Sequence, residues 1–234
     1  MVRPQIDWQA VDTVFLDMDG TLLDLHYDNY FWLEHVPRRY GEARGLGLAE
    51  AKAELLPRYR AIEGTLQWYC VDHWTRELEL DIALLKQEVA HLIAVHPCVL
   101  EFLTALAASG QRRVLVTNAH QKSIALKLRQ TPLGDHLDRV ICAHDLDLPK
   151  ESRAFWDRVQ ALEPFEPTRT LFIDDNERVL RAAEDYGIAW LLSVAAPDSK
   201  ASARPQSAFP TIQGFADLLP GLHRPGPGRL DERA

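Results

Sequence analysis

The chain has 234 residues, 47% hydrophobic and 26% charged, enough for one core with a sizeable insertion or two small domains sharing a core, and not a composition for disorder. Its 34 acidic against 26 basic side chains give a formal charge of −8, which excludes a basic field for nucleic acid or anionic lipid and leaves a small anionic substrate dependent on local cations. Apolar runs such as 188–196 fall far short of the roughly 20 residues of a membrane span, and the first residues, with Asp7 and Asp12, lack the pattern of a signal peptide, so a soluble, cytoplasmic protein is expected.

In chain order, residues 13–18 (TVFLDM) are a short run of strand formers ending in the turn signal Asp19-Gly20-Thr21, the expected first strand. Residues 25–95 then show helical periodicity and mixed charge without a strand pattern, with candidate helices at 27–40, 48–63, 66–78 and 82–93 punctuated by Gly41, Gly45, Gly47 and Gly64. From Pro97 the pattern alternates. A helix at 97–109, stopped by Gly110, precedes a strand at 113–117; helix 123–130, strand 139–143, helix 152–162, strand 170–174, helix 177–186, stopped by Gly187, and strand 189–194 follow.

This alternation predicts an α/β fold: a Rossmann-like parallel sheet core with an inserted helical cap between the first and second strands, and function at the carboxyl ends of the strands. The expected division is a core of 1–24 and 96–222, a cap of 25–95 and a Pro- and Gly-rich tail, 223–234, that frays. Cys70, Cys98 and Cys142 have no paired ligand spacing and are expected to be reduced.

Four polar groups fall at or just beyond predicted strand ends: Asp17 with Asp19, Thr117 with Asn118, Lys150, and Asp174 with Asp175. Each alone has a structural reading, as an Asx turn, a helix cap or a solvated charge. Together they bring four carboxylates into one crevice, where a like-charge pair at ~4 Å costs about 4 kcal/mol at an effective dielectric near 20. A cation must offset this, and oxygen donors without His or Cys select Mg²⁺. Four carboxylates, Lys150 and one Mg²⁺ leave one negative charge, so a phosphate also needs directional donors.

The ordered set VFLDMDGTL, VLVTN, Lys150 and LFIDD resembles the haloacid dehalogenase superfamily of phosphatases over residues 12 to 195, and the insertion lies where many members carry a helical cap. DTVFLDMDGTLLDLHYDNYFW, LQWYCVDHW, VTNAH, PKE and TLFIDDNE further resemble the bacterial GMP/IMP nucleotidases, a likeness that reaches into the cap. The resemblance implies Asp17 as nucleophile, forming an aspartyl phosphate, and Asp19 as general acid and base and, through its carbonyl, a metal ligand. It implies Thr117, Asn118 and Lys150 on the phosphate, and Asp175 as direct ligand of Mg²⁺ with Asp174 holding its water, roles the two can exchange. Dehalogenase members lack the second aspartate and the metal, so Asp19 favours phosphoryl transfer.

Asp24 and Asp28 are expected in hinge or surface roles. The cap aromatics Tyr27, Tyr30, Phe31, Trp32, Trp68, Tyr69 and Trp74 are expected mainly as a helix-bundle core, the other reading being that Trp68, Tyr69 or His73 contacts a purine, with Asn29 or His73 reading its polar edge. Two rival functions stand beside the nucleotidase. A phosphatase for sugar phosphates or phosphoglycolate would share every core residue, whereas a catalytically silent binding module would have lost the nucleophile, the acid or the lysine, all of which are present.

Overall fold

The computed structural model describes residues 4–202 and 207–222; the tail predicted to fray lies outside them. Strand β1 (Thr13–Leu16) is buried along its length. A tight turn follows in which the Gly20 N–H donates to the Leu23 carbonyl and the Leu23 N–H to that of Met18. The chain then enters the helical insertion and returns beside its own entry: the Asp24 N–H donates to the Ala94 carbonyl (2.9 Å) and the His96 N–H to that of Leu22 (3.0 Å).

The insertion contains α1 (His26–Tyr30), α2 (Val36–Arg44), α3 (Leu48–Ala61), α4 (Leu66–Tyr69), α5 (Val71–Leu78) and α6 (Ile82–Glu88). The single helix expected at 27–40 is interrupted by a π turn, Phe31–His35, just before Pro37. Proline has no N–H to give and its ring crowds the carbonyl four residues back, and the wider turn relieves both. The helix expected at 66–78 breaks at Cys70, whose extended backbone (φ −81°, ψ 110°) lets its Sγ cap α5 by accepting from the His73 N–H. The one expected at 82–93 is α6 and a 3₁₀ turn, Ala90–Leu92.

The remaining elements are α7 (Val99–Ala108), β2 (Arg112–Thr117), α8 (Gln121–Gln130), β3 (Arg139–Cys142), α9 (Arg153–Leu162), β4 (Thr170–Asp174), α10 (Glu177–Tyr186), β5 (Trp190–Val194), β6 (Thr211–Ile212) and α11 (Leu219–Leu222). All strands run parallel in the order β3-β2-β1-β4-β5-β6, the α/β Rossmann-like core read from the sequence. Successive side chains of β1 leave opposite faces. Val14 and Leu16 pack with Val99, Phe102 and Leu103 of α7, and Phe15 packs with Phe155 and Trp156 of α9 and Leu180 of α10.

The insertion has its own apolar cluster, built on Tyr27, Phe31, Tyr59 and Trp74 and joined by Leu126 of α8. Leu16 lies opposite Leu115 and Ile173 in the sheet, so the residues after it emerge together on one rim. The strand order reverses between β1 and β4, where loops diverge and leave a crevice.

Candidate active site

Asp17 follows β1 directly, and its N–H donates to the Ile173 carbonyl (3.0 Å), which fixes it beside the end of β4. Asp174 ends β4 and Asp175 follows it. One carboxylate oxygen from each of Asp17, Asp174 and Asp175 lies within 4.8 Å of the others. Lys150, in the loop before α9, spends all three ammonium protons here: on Asp17 Oδ1 (2.5 Å), Asp174 Oδ2 (2.7 Å) and the Val116 carbonyl (3.1 Å).

Burial pushes the Asp17 carboxyl up to about 6, with Asp174 adding to the rise and Lys150 opposing it. Asp174 is raised to about 6 by burial as well, with Asp175 adding and Lys150 opposing. Although burial works against its charge, Lys150 is held protonated well above the ordinary range by its two carboxylates. The arrangement holds more negative charge than one lysine balances.

Asp19 lines the same cavity, but its Oδ1 turns to Lys127 of α8 (2.6 Å). Burial lifts it to about 6, with Asp28 and Asp17 adding to the rise and Lys127 opposing it. Lys127 also donates to Asp28 Oδ2 (2.6 Å), and Lys86 of α6 donates to Asp28 Oδ1 (3.0 Å). The expectation of a hinge or surface role for Asp28 is therefore corrected. Burial would raise its pKa, yet the two lysines hold it down at about 2. Asp24 does sit at the joint: its Oδ1 accepts from the His26 and Ser199 N–H groups, both 3.0 Å.

Lys86 and Lys127 change the charge count read from the sequence. Lys127 answers Asp19 and Asp28, Lys86 also answers Asp28, and Lys150 answers Asp17 and Asp174. Neither lysine was legible, because each lies on a helix at a position that reads as a solvated face.

Thr117 and Asn118, at the end of β2, are buried on the same rim. The Thr117 hydroxyl accepts from the Ala119 N–H (3.0 Å), leaving its own proton to give. The Asn118 side chain is engaged elsewhere: Oδ1 accepts from the Lys150 N–H (2.9 Å) and Nδ2 donates to Glu151 (2.9 Å). It braces the loop that carries Lys150. Glu151 also accepts from the Tyr69 hydroxyl of α4 (3.2 Å), a link between insertion and core that nothing in the sequence marked beyond its place after Lys150.

A cavity of about 520 Å³ opens over these groups, and Asp17, Asp19, Tyr69, Thr117, Asn118, Lys150, Asp174 and Asp175 are among its lining residues. That is the size of a small-molecule site. Tyr69 lines it, whereas Trp68 and His73 are not among its lining residues. Trp68 packs edge-on to Tyr59 and Trp74 in the aromatic core of the insertion, and the His73 ring lies against Trp74. Asn29 is occupied in donating to Asp198 (2.7 Å).

Gly20 shows how closely the loops after β1, β4 and β5 approach one another. Its φ is +84°, and a Cβ there would lie 2.8 Å from Asp175 Oδ2 and 3.0 Å from Pro197 Cβ. Gly20→Ala is expected to cost about 1–2 kcal/mol from the left-handed backbone and to displace Asp175. Thermal melts and the affinity for divalent cations measure the two effects separately.

The model of the haloacid dehalogenase-like hydrolase family matches residues 11–187. The chain is 42% identical over 217 residues, 93% of this chain and 98% of the relative, to the GMP/IMP nucleotidase YrfG of Escherichia coli K12. It is 24% identical over 216 residues, 88% of this chain and 78% of the relative, to phosphoglycolate phosphatase 1 of Pseudomonas aeruginosa. In fold it is similar to the crystal structure of a HAD phosphatase from Thermococcus onnurineus, with a TM-score of 0.76, 20% identity and coverage of 91% of this chain and 98% of that one. With a family model spanning most of the sheet and the rim of acidic residues where that fold places its crevice, the chain belongs to the haloacid dehalogenase-like hydrolase family.

Proposed function

We propose that this protein is a Mg²⁺-dependent phosphohydrolase that cleaves purine nucleoside 5′-monophosphates, IMP and GMP, through an aspartyl phosphate on Asp17. The observation that carries the substrate is the 42% identity to a GMP/IMP nucleotidase over 93% of the chain, which includes the helical insertion. Discrimination among phosphate esters has to come from there, because the rim residues can grip only phosphate and metal. Residues 25–95 act in this reading as a cap over a core of 1–24 and 96–222.

The donor set suits Mg²⁺. Three carboxylates converge and offer hard oxygen ligands, with no His or Cys among them, the donor type that this ion takes. Asp17, Asp175 and the Asp19 carbonyl would hold the ion, and Asp174, whose oxygens already accept from Lys150 and from the Asn176 N–H (2.8 Å), would act through water. Bound there, Mg²⁺ supplies positive charge to the phosphate oxygens.

The protein's own groups carry the rest. An Asp17 oxygen attacks phosphorus, and Asp19 gives its proton to the departing 5′ oxygen as the ester P–O bond breaks. Asp19 then takes a proton from the water that hydrolyses the acyl phosphate, releasing phosphate and restoring Asp17. Lys150 offsets charge on Asp17 and the phosphoryl group, and Thr117 donates to a phosphate oxygen. Tyr69, which lines the cavity, meets the rest of the nucleotide in this reading.

IMP and GMP share a 6-oxo group and a protonated N1, while AMP has an amino group and a bare nitrogen. A site that satisfies the oxo edge leaves polar groups unpaired against AMP, a mismatch of roughly 1–3 kcal/mol, or about 5–150-fold. Phosphate release from a panel of purine and pyrimidine nucleotides and sugar phosphates is expected to be fastest, at low concentration, for IMP and GMP. Tyr69→Ala should narrow that preference and spare a small generic ester. Preference for a hexose phosphate would overturn the substrate and leave the phosphatase reading standing.

A further inference from the structure

Beyond the motif residues, the most deeply buried unassigned charge beside the site is Lys127. Its side chain is 1% exposed and its ammonium lies between Asp19 Oδ1 and Asp28 Oδ2, each at 2.6 Å. Asp28 belongs to α1 of the insertion, and its other oxygen accepts from Lys86 of α6 (3.0 Å). Lys86 in turn sits over the Phe31 and Tyr27 rings, 4.4 and 5.1 Å from their centroids. A chain of alternating charge thus runs from the loop after β1, through α8 of the core, into two helices of the insertion.

Withdrawing such ions from water costs several kcal/mol each, and a row of apolar side chains would fill the space at lower cost. What ions provide and apolar groups do not is direction. The Asp19 carboxyl rotates freely about its side-chain bonds unless something holds it. Here Oδ1 is anchored to an ammonium on a rigid helix while Asp19 still lines the cavity. The ammonium is itself fixed from the far side, because Asp28 gives one oxygen to each lysine.

We infer that Lys127 is the positioning residue for Asp19, and that Asp28 and Lys86 brace it from the helical insertion, so that the acid is aimed when the insertion is seated on the core. This rests on the phosphatase reading, in which Asp19 protonates the leaving group. A nucleoside 5′ oxygen needs that proton, whereas nitrophenolate departs without it. Loss of aim should therefore fall on the nucleotide.

The test is the charge-balanced pair Lys127→Met with Asp28→Asn, assayed with IMP and with 4-nitrophenyl phosphate beside the wild type. Turnover of IMP is expected to fall roughly 10–100-fold more than that of the nitrophenyl ester. In an Asp19→Asn background the same pair should cause no further selective loss. Lys127→Gln, made in parallel in case the pair does not fold, should shift the ratio in the same direction. Crystal structures of wild type and variant supply a readout independent of turnover: Asp19 should leave its wild-type rotamer in the variant. Equal losses on the two esters, or Asp19 unmoved in the variant, would overturn the inference. A wild type that releases phosphate from neither ester would instead sink the phosphatase reading, and the rotamer of Asp19 would still decide whether Lys127 holds it.

Discussion

Asp17→Asn is expected to lower turnover of every phosphate ester by at least about 10⁴-fold and to leave the fold intact. An amide is too weak a nucleophile to form the intermediate, but its oxygen can still accept from Lys150 where Asp17 Oδ1 does now. The N–H that holds this position against the Ile173 carbonyl is in the main chain and unaffected. The substitution also removes one buried charge from a group of carboxylates that repel one another. The metal-free variant should then melt no lower than the wild type at neutral pH, with an unchanged circular dichroism spectrum. Residual turnover at the level of a few per cent, in preparations free of wild type, would remove Asp17 from the nucleophile's role.

Removal of Mg²⁺ with EDTA is expected to abolish activity, and to do so with a pH-dependent cost in stability. In the metal-free protein burial lifts Asp17, Asp19 and Asp174 to about 6 from an ordinary 3.8. A carboxyl whose folded pKa is raised contributes most to stability below its unfolded pKa, and that contribution is lost as pH rises through about 6. At pH 7.5 the metal-free protein therefore carries the full burden of three buried carboxylates. Mg²⁺ at ~100 times its dissociation constant stabilises by about 2.7 kcal/mol, a rise in melting temperature of roughly 5–10 °C for a chain of this size. The rise should be largest at pH 7.5 and nearly absent at pH 5. Ca²⁺ should also raise the melting temperature but oppose turnover, because its larger, looser shell misplaces the attacking carboxylate. A shift that does not change between pH 7.5 and pH 5 would mean that the ion sits elsewhere.

The core of the fold was legible because its signals are local. A run such as TLFID between a turn and a helix reads as a buried strand, and the alternation of such runs with helices leaves few arrangements other than a parallel sheet. β6 escaped because two residues, Thr211 and Ile212, carry no period. The breaks inside the insertion were less visible. Pro37 marks one in retrospect, but at Cys70 the reason is a side chain turning back on the next helix, which spacing does not encode.

The candidate site divides along the same line. Asp17, Thr117, Lys150 and Asp174 stand at strand ends or in the loops after them, so topology brings them together. Lys127 and Asp28 are separated by 99 residues, and each lies on a helix where a charge ordinarily faces water. Only the seating of the insertion on α8 makes them neighbours. Trp68 and Tyr69 differ in fate for a related reason: adjacent on one short helix, they point in different directions, one into the aromatic core and one over the cavity.

A nucleotidase is told from its phosphoglycolate-cleaving rival by kcat/KM of the purified, Mg²⁺-loaded protein for IMP or GMP relative to phosphoglycolate. The cavity and the identity to a nucleotidase over 93% of the chain predict a ratio well above one, by about 10-fold or more if a single satisfied polar contact to the base is worth 1.4 kcal/mol. A ratio below one would contradict the nucleotidase assignment.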